Sequence, residues 1–159
     1  DRKTPNDPDS YIKSRPRNGH SPYDRYFGKG IYNNSTKSAL YVKTPSNRDI
    51  VFLLVDYYSK KIIRNEYIRA GSRFDMTGIP YGTYSFKYFA GNDWSDDYPM
   101  ANDKFLGGFT KDRTYFKSDK ASDIMEFERG YIQSYEITLY SVENGNLETE
   151  TTSEGEFFN

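Results

Sequence analysis

An antiparallel β-sandwich is the fold class this sequence predicts, and three observations carry it. The first is the run from Met76 to Tyr88, where Pro80-Tyr81-Gly82 makes a turn and Tyr84, Phe86 and Tyr88 then alternate with smaller or polar residues. Proline presets φ for such a turn, glycine accepts backbone angles that other residues resist, and the two-residue period lays the three rings on one face of a strand. The second is composition: 35% of the 159 residues are hydrophobic, yet 18% are aromatic, and each large ring buries roughly 150–250 Å². The core is therefore expected to be built from rings. The third is spacing, since seven or eight short segments are punctuated by turn residues, a pattern that argues for a sandwich over a barrel.

Residues 1 to 22 carry Pro5, Pro8, Pro16 and Pro22 among charged and polar side chains, with only Tyr11 and Ile12 to bury. That composition predicts a Pro-rich flexible tether leading to an anchor or another module. A single domain is expected from 23 to 159, starting with the aromatic stretch Tyr23 to Tyr32, in which Gly28-Lys29-Gly30 reads as a backbone turn. Ser38 to Lys43 is the first strand, with Leu40 and Val42 on one side, and Thr44-Pro45-Ser46-Asn47 breaks it. Asp49 to Ser59 is nearly continuously apolar, which suits a central strand covered on both faces. Ile62 to Ala70 alternates so that neither face is purely apolar, the mark of an edge strand. Arg73 to Met76 follows, with Phe74 and Met76 inward, and then Tyr84 to Ala90. Phe109 to Lys117, Ser122 to Glu128 and Tyr135 to Val142 complete the set. Asn144-Gly145-Asn146 reads as a turn, and in the acidic C-terminal tail Ser153 and Glu156 would cap a short helix pinned by Phe157 and Phe158.

Charge and residue usage narrow the function. A net charge of -1 with scattered basic residues gives no field to draw nucleic acid. The absence of Cys removes disulfides, thiolate metal sites and thiol nucleophiles. The one histidine, His20, lies in the leader, so no imidazole is placed for a Ser/His/Asp triad, and Gly28-Lys29-Gly30 lacks the order of a phosphate loop. The longest apolar run, Ile50 to Val55, falls far short of the ~20 residues a membrane helix needs. The chain starts with Asp, which leads us to expect a signal, lipid-anchor segment or membrane helix upstream, and membrane association only through it.

The candidate site is the stretch Gly91 to Gly108, expected to be a long insertion loop between two strands, because hairpin connections normally need only a few residues. It carries the sole Trp. Trp94, Tyr98 and Phe105 offer flat rings beside Asn92 and Asp93, a set that a sugar or a partner protein could use. Asp93, Asp96, Asp97 and Asp103 make the stretch oxygen-rich, so Ca²⁺ is the candidate ion, although the spacing matches no EF-hand. Asp96 and Asp97 as a glycosidase acid/base pair is the more remote expectation, since that chemistry needs two carboxyls ~5–9.5 Å apart across one bond.

The segment Ile79-Pro80-Tyr81-Gly82-Thr83-Tyr84-Ser85-Phe86 resembles the turn-plus-strand hallmark of prealbumin-like (transthyretin-like) sandwiches, the class that includes carboxypeptidase regulatory-like domains. The resemblance implies a Greek-key sandwich used as an accessory module. Phe27 to Tyr32, Ile63 to Gly71, Phe116 to Asp119 and Tyr135 to Asn146 look like a family of small, uncharacterised Bacteroidetes proteins. That similarity implies an envelope-associated or exported protein, periplasmic or extracellular, and supplies no catalytic residue. The expected function is a non-catalytic binding or assembly module acting by protein–protein interaction, through an exposed sheet edge or the Trp94 loop. The alternative is carbohydrate binding by that loop. An envelope protein or a glycan would be the partner, with no organic cofactor.

Overall fold

The computed structural model describes residues 7–118, 121–139 and 149–158. They form an all-β fold of two sheets. In chain order the strands are β1 (Ala39–Lys43), β2 (Asp49–Asp56), β3 (Ile62–Ile68), β4 (Arg73–Thr77), β5 (Gly82–Met100), β6 (Phe105–Ser118), β7 (Met125–Phe127), β8 (Ser134–Thr138) and β9 (Thr149–Thr152), with one-turn helices α1 (Asp24–Phe27) and α2 (Glu154–Phe157). The smaller sheet has the order β4-β1-β8, and β1 and β8 run parallel. The larger has the order β3-β2-β5-β6-β9, with β7 paired to the start of β5.

Among the described residues nine strands stand where seven or eight were expected. The addition is β9, an acidic and threonine-rich segment that pairs antiparallel with the end of β6. Its sequence has no apolar alternation, so only the ladder reveals it. The expected turn at Asn144-Gly145-Asn146 and the end of the segment Tyr135 to Val142 fall outside the described residues.

The two faces of the larger sheet explain the apolar run of β2. Ile50, Phe52 and Leu54 join Leu40, Val42, Met76, Phe86 and Tyr88 between the sheets. Val51 and Leu53 point the other way, into a second core with Tyr23, Tyr67, Phe89, Trp94, Phe109 and Phe157. The first core is partly stacked rings, Phe52 on Phe86 at 5.4 Å and Tyr88 on Phe116 at 4.8 Å. The turn before β5 is fixed by its own strand, because the Tyr84 hydroxyl donates to the Pro80 carbonyl at 2.9 Å, and burial pushes that phenol up to about 12. At the other end of the chain, Ser153 caps α2 by accepting from the Glu156 N–H at 3.2 Å, and Phe157 is buried.

Two expectations are corrected here. Residues 91 to 108 are not an insertion loop. β5 continues to Met100 and β6 begins at Phe105, so the two form one long hairpin whose turn holds Ala101, Asn102 and Asp103 at φ of 51°, 56° and 69°. Register shifts between Ala90 and Asn92 and between Ser95 and Pro99 accommodate the Asn, Asp and Pro residues that made the segment read as a loop, since bulges are where a strand tolerates them.

The leader, from residue 7 on, is not a free tether. β3 lies at a sheet edge as expected, but the Gly19 N–H donates to the Tyr67 carbonyl at 2.8 Å and the Tyr67 N–H donates to the His20 carbonyl at 2.7 Å. The Ser14 N–H reaches the Trp94 carbonyl at 2.8 Å, and Tyr11 is buried against Tyr98. Composition counted the few apolar side chains of the leader and missed its backbone donors and acceptors, which complete the open edge of a strand.

Candidate functional site

The docked leader walls off a polar cleft of about 520 Å³ at the end of the sandwich where β1 turns into β2 and β3 into β4. Asp49, the first residue of β2, organises it. Its Oδ2 accepts from Arg15 Nε at 2.9 Å and from the Tyr67 hydroxyl at 2.5 Å, and its Oδ1 accepts from Arg15 Nη2 at 2.9 Å and from the Ala70 N–H at 2.7 Å. Four donors on one carboxylate leave no proton to transfer and fix three chain segments at once. Burial pushes the Asp49 carboxyl up, but the hydrogen bonds from Arg15, Tyr67 and Ala70 together outweigh it and hold the group below the usual carboxylate range. The same contact acts in reverse on Tyr67, whose phenol is pushed well up by burial and then by the Asp49 carboxylate.

Around that anchor the lining is polar. Arg48 donates from Nη1 to Thr114 Oγ1 at 3.1 Å, which holds the guanidinium against β6. Lys13 donates to the Tyr11 carbonyl at 2.8 Å. Asn92 donates to Asp112 at 3.0 Å, and the Asp93 carboxylate lies 3.8 Å from Lys111 Nζ. Asn92 and Asp93 take part because the bulge after Ala90 resets the register, pairing Asn92 with Lys111, and Asp93 follows at φ 57°. Such an arrangement presents oriented donors and acceptors to a polar ligand, and its size is in the range of small-molecule sites.

Of the residues read from the sequence, Asn92, Asp93 and Trp94 line this one cleft. Trp94 does so with 2% of its surface accessible. Its ring packs edge-on against Tyr67 at 5.3 Å and Phe109 at 5.1 Å, and its indole N–H donates to Asp96 at 2.8 Å. It is a core residue and not a stacking platform. Tyr98 is buried beneath Arg113 and Tyr11, and Phe105 packs among Tyr26, Phe27 and Phe158. Neither reaches the cleft.

The carboxylates expected to gather around Ca²⁺ are dispersed. Asp93 faces Lys111, Asp96 accepts from the Trp94 indole, Asp97 is exposed on the strand, and Asp103 sits in the hairpin turn. Among the described residues no group of three or more His, Cys, Asp or Glu side chains could hold a metal ion. The hairpin spreads along its length the carboxylates that looked clustered in a loop, and Asp96 and Asp97, both exposed at the irregularity between Ser95 and Pro99, do not line the cleft.

Sequence reading missed Arg15, Arg48, Asp49 and Tyr67. The one available signal was an Asp opening an apolar strand, where a carboxylate is held at the rim of a sheet. It also missed a buried ion pair in β3, Arg64 Nε to Glu66 Oε1 at 3.4 Å, with the side chains 2% and 3% exposed. Arg64 donates to the Thr77 carbonyl at 2.9 Å and stacks over Tyr32 at 3.8 Å, and burial raises the Glu66 carboxyl to about 7 against the pull of Arg64. No helix among the described residues is long and apolar enough to cross a membrane. No protein-family model matches the chain, and neither a curated protein nor a solved structure matches it at a significant level.

Proposed function

We propose that this protein is a non-catalytic binding module of the cell envelope or the extracellular space, and that the cleft beneath the leader is its ligand site. The observation that carries the reading is the saturated Asp49 carboxylate, which clamps leader, β2 and β3 together and fixes Arg15 at an open polar volume whose Arg48 and Asn92 are held by Thr114 and Asp112. A hydroxyl-rich ligand the size of one or two sugar residues suits such walls, and the two guanidiniums favour a glycan that carries an acid group. The ligand is held by hydrogen bonds instead of ring stacking, because Trp94 is covered.

A glycan array probed with the wild-type protein and with Arg48→Ala and Asn92→Ala tests this. Binding confined to acidic oligosaccharides and lost in both variants supports the reading, and an array blank for the wild type refutes it.

A protein partner is the second reading, favoured by a different observation. The loops at the opposite end of the sandwich expose Ile31, Tyr32, Tyr58, Tyr131 and Ile132, at 39%, 51%, 77%, 62% and 75%. Tyrosine-bearing loops gathered at one end of a sandwich are suited to protein recognition. Partner capture from an envelope extract that disappears with Tyr58→Ser and Ile132→Ser would support it, and capture unaffected by both would oppose it.

A further inference from the structure

We propose that a second cavity, lying between the β2–β3 turn, α1 and α2, is an anion site in which Lys60, Lys61 and Lys87 receive an oxyanion while the half-buried Tyr26, Phe27 and Ile62 take an apolar or aromatic body attached to it. The cavity measures about 310 Å³ and is lined by these groups together with Phe157 and Phe158, whose rings are buried behind it. It is separate from the cleft and shares no residue with it.

Its charge balance is one-sided. Three ammonium groups line it and no carboxylate does. Among the described residues none of the three lysines lies within ion-pair distance of an acidic side chain, the ion pairs being made elsewhere. The nearest acid in the turn is Asp56, whose carboxylate accepts from the Tyr58 and Ser59 N–H groups at 3.0 and 2.8 Å; it feels the Lys60 charge as well, beyond ion-pair distance, and leaves Lys61 and Lys87 uncompensated.

Lys87 is the informative member. It stands in the middle of β5, on a sheet face otherwise covered by rings, where an apolar residue would pack more easily. Its ammonium donates to the Phe157 carbonyl and lies 5.2 Å from the centre of the Phe157 ring. A carbonyl and a ring face satisfy donors but do not neutralise charge, and burial accordingly lowers the Lys87 ammonium below its ordinary value. An anion entering the cavity supplies the missing charge.

The turn adds to this. Lys60 holds φ at 65°, a conformation glycine or asparagine takes more readily. Its ammonium lies 4.5 Å from the centre of the Tyr57 ring. The half-buried Tyr26, Phe27 and Ile62 supply the complementary apolar wall, backed by the buried rings of Phe157 and Phe158, so the ligand class is an oxyanion on an apolar or ring-bearing body: an aryl or alkyl phosphate, sulfate or carboxylate, free in solution or borne by a lipid.

Calorimetric titration of the full chain at low ionic strength with inorganic phosphate and with phenyl phosphate tests the site, alongside sedimentation with phosphatidylglycerol vesicles. The expected result is saturable phenyl phosphate binding, at least tenfold tighter than inorganic phosphate. Lys87→Met keeps the stem packed and removes the charge, and Lys61→Gln alters only the exposed turn; each should weaken binding about tenfold. Arg48→Ala, in the distant cleft, should leave it unchanged, which separates this site from the glycan reading.

Vesicle sedimentation that is lost in Lys61→Gln assigns a lipid headgroup, and phenyl phosphate binding without sedimentation assigns a soluble ligand; both support the site. The proposal is overturned if no probe binds saturably, if both lysine variants bind as the wild type does, or if Arg48→Ala is the variant that loses binding.

Discussion

Arg15 grips Asp49 through two hydrogen bonds of 2.9 Å across 34 residues of sequence. A planar guanidinium meeting both oxygens of a carboxylate fixes orientation as well as distance. Because Asp49 also receives Tyr67 and Ala70, the pair welds a proline-rich leader to the rim of the larger sheet. Together with the backbone bonds of Ser14 and Gly19, it closes the cleft.

Replacing Asp49 with Ala removes the acceptor of four hydrogen bonds and leaves the half-buried Tyr67 hydroxyl and Ala70 N–H to find water. The expected loss is about 2–4 kcal/mol in urea unfolding. Hydrogen exchange gives a finer readout: the Gly19 and Tyr67 amides, protected in the wild type by the leader–β3 bonds, should exchange faster in Asp49→Ala. Exchange unchanged at both amides would show that the leader docks without this carboxylate.

The Arg64–Glu66 pair predicts an unusual pH response. Burial raises the folded Glu66 carboxyl to about 7, above the ordinary 4.5, against the pull of Arg64 and Ser21 and with Asp24 adding a little repulsion. The folded protein therefore holds this proton more tightly than the unfolded chain. Its contribution to stability is fully present below pH 4.5 and is lost as pH rises through 7, a fall of about 3 kcal/mol. Asp49 acts in the opposite sense and in a separate window, losing its contribution as pH falls below the ordinary carboxylate range through its depressed folded value. Thermal unfolding from pH 4.5 to 8 should show a decline that Glu66→Gln flattens. An identical slope in the variant would assign the decline to another group.

Trp94→Ala should behave as a core truncation, costing about 3–5 kcal/mol, while Trp94→Phe costs less. Both variants, if Trp94 were instead a surface platform, would retain wild-type stability in urea unfolding.

Gly91→Ala tests the close packing behind the cleft. A methyl group at Gly91 would lie 2.5 Å from Phe109 Cβ, a contact that forces β5 and β6 apart. The expected cost is about 1–3 kcal/mol, measured in the same unfolding series.

The rings of Tyr84, Phe86 and Tyr88 pointed to one buried face because side-chain period is a local property, and they are buried together. The continuous run in β2 pointed to two covered faces, and both cores are there. The Ser153 cap was legible for the same local reason. What failed was non-local. Asn92, Asp93 and Trp94 line one cleft, but their segment has the look of a loop because bulges that let Asn and Asp sit within a strand have the composition of turns. Arg15 and Asp49 gave no sign of each other, since nothing in either neighbourhood encodes a partner 34 residues away. The leader looked disordered by its side chains, and its ordering comes from backbone groups that every residue except proline carries.

The most direct test uses the single tryptophan as a reporter built into the cleft. Fluorescence of Trp94 would be followed while acidic and neutral oligosaccharides are titrated into the wild type and into Arg48→Ala and Asn92→Ala, with folding of each confirmed by its unfolding midpoint. The binding-module account predicts a saturable change with an acid-bearing oligosaccharide that both variants lose at unchanged stability. A flat signal across every sugar, or a saturable change that persists in both variants, would contradict it.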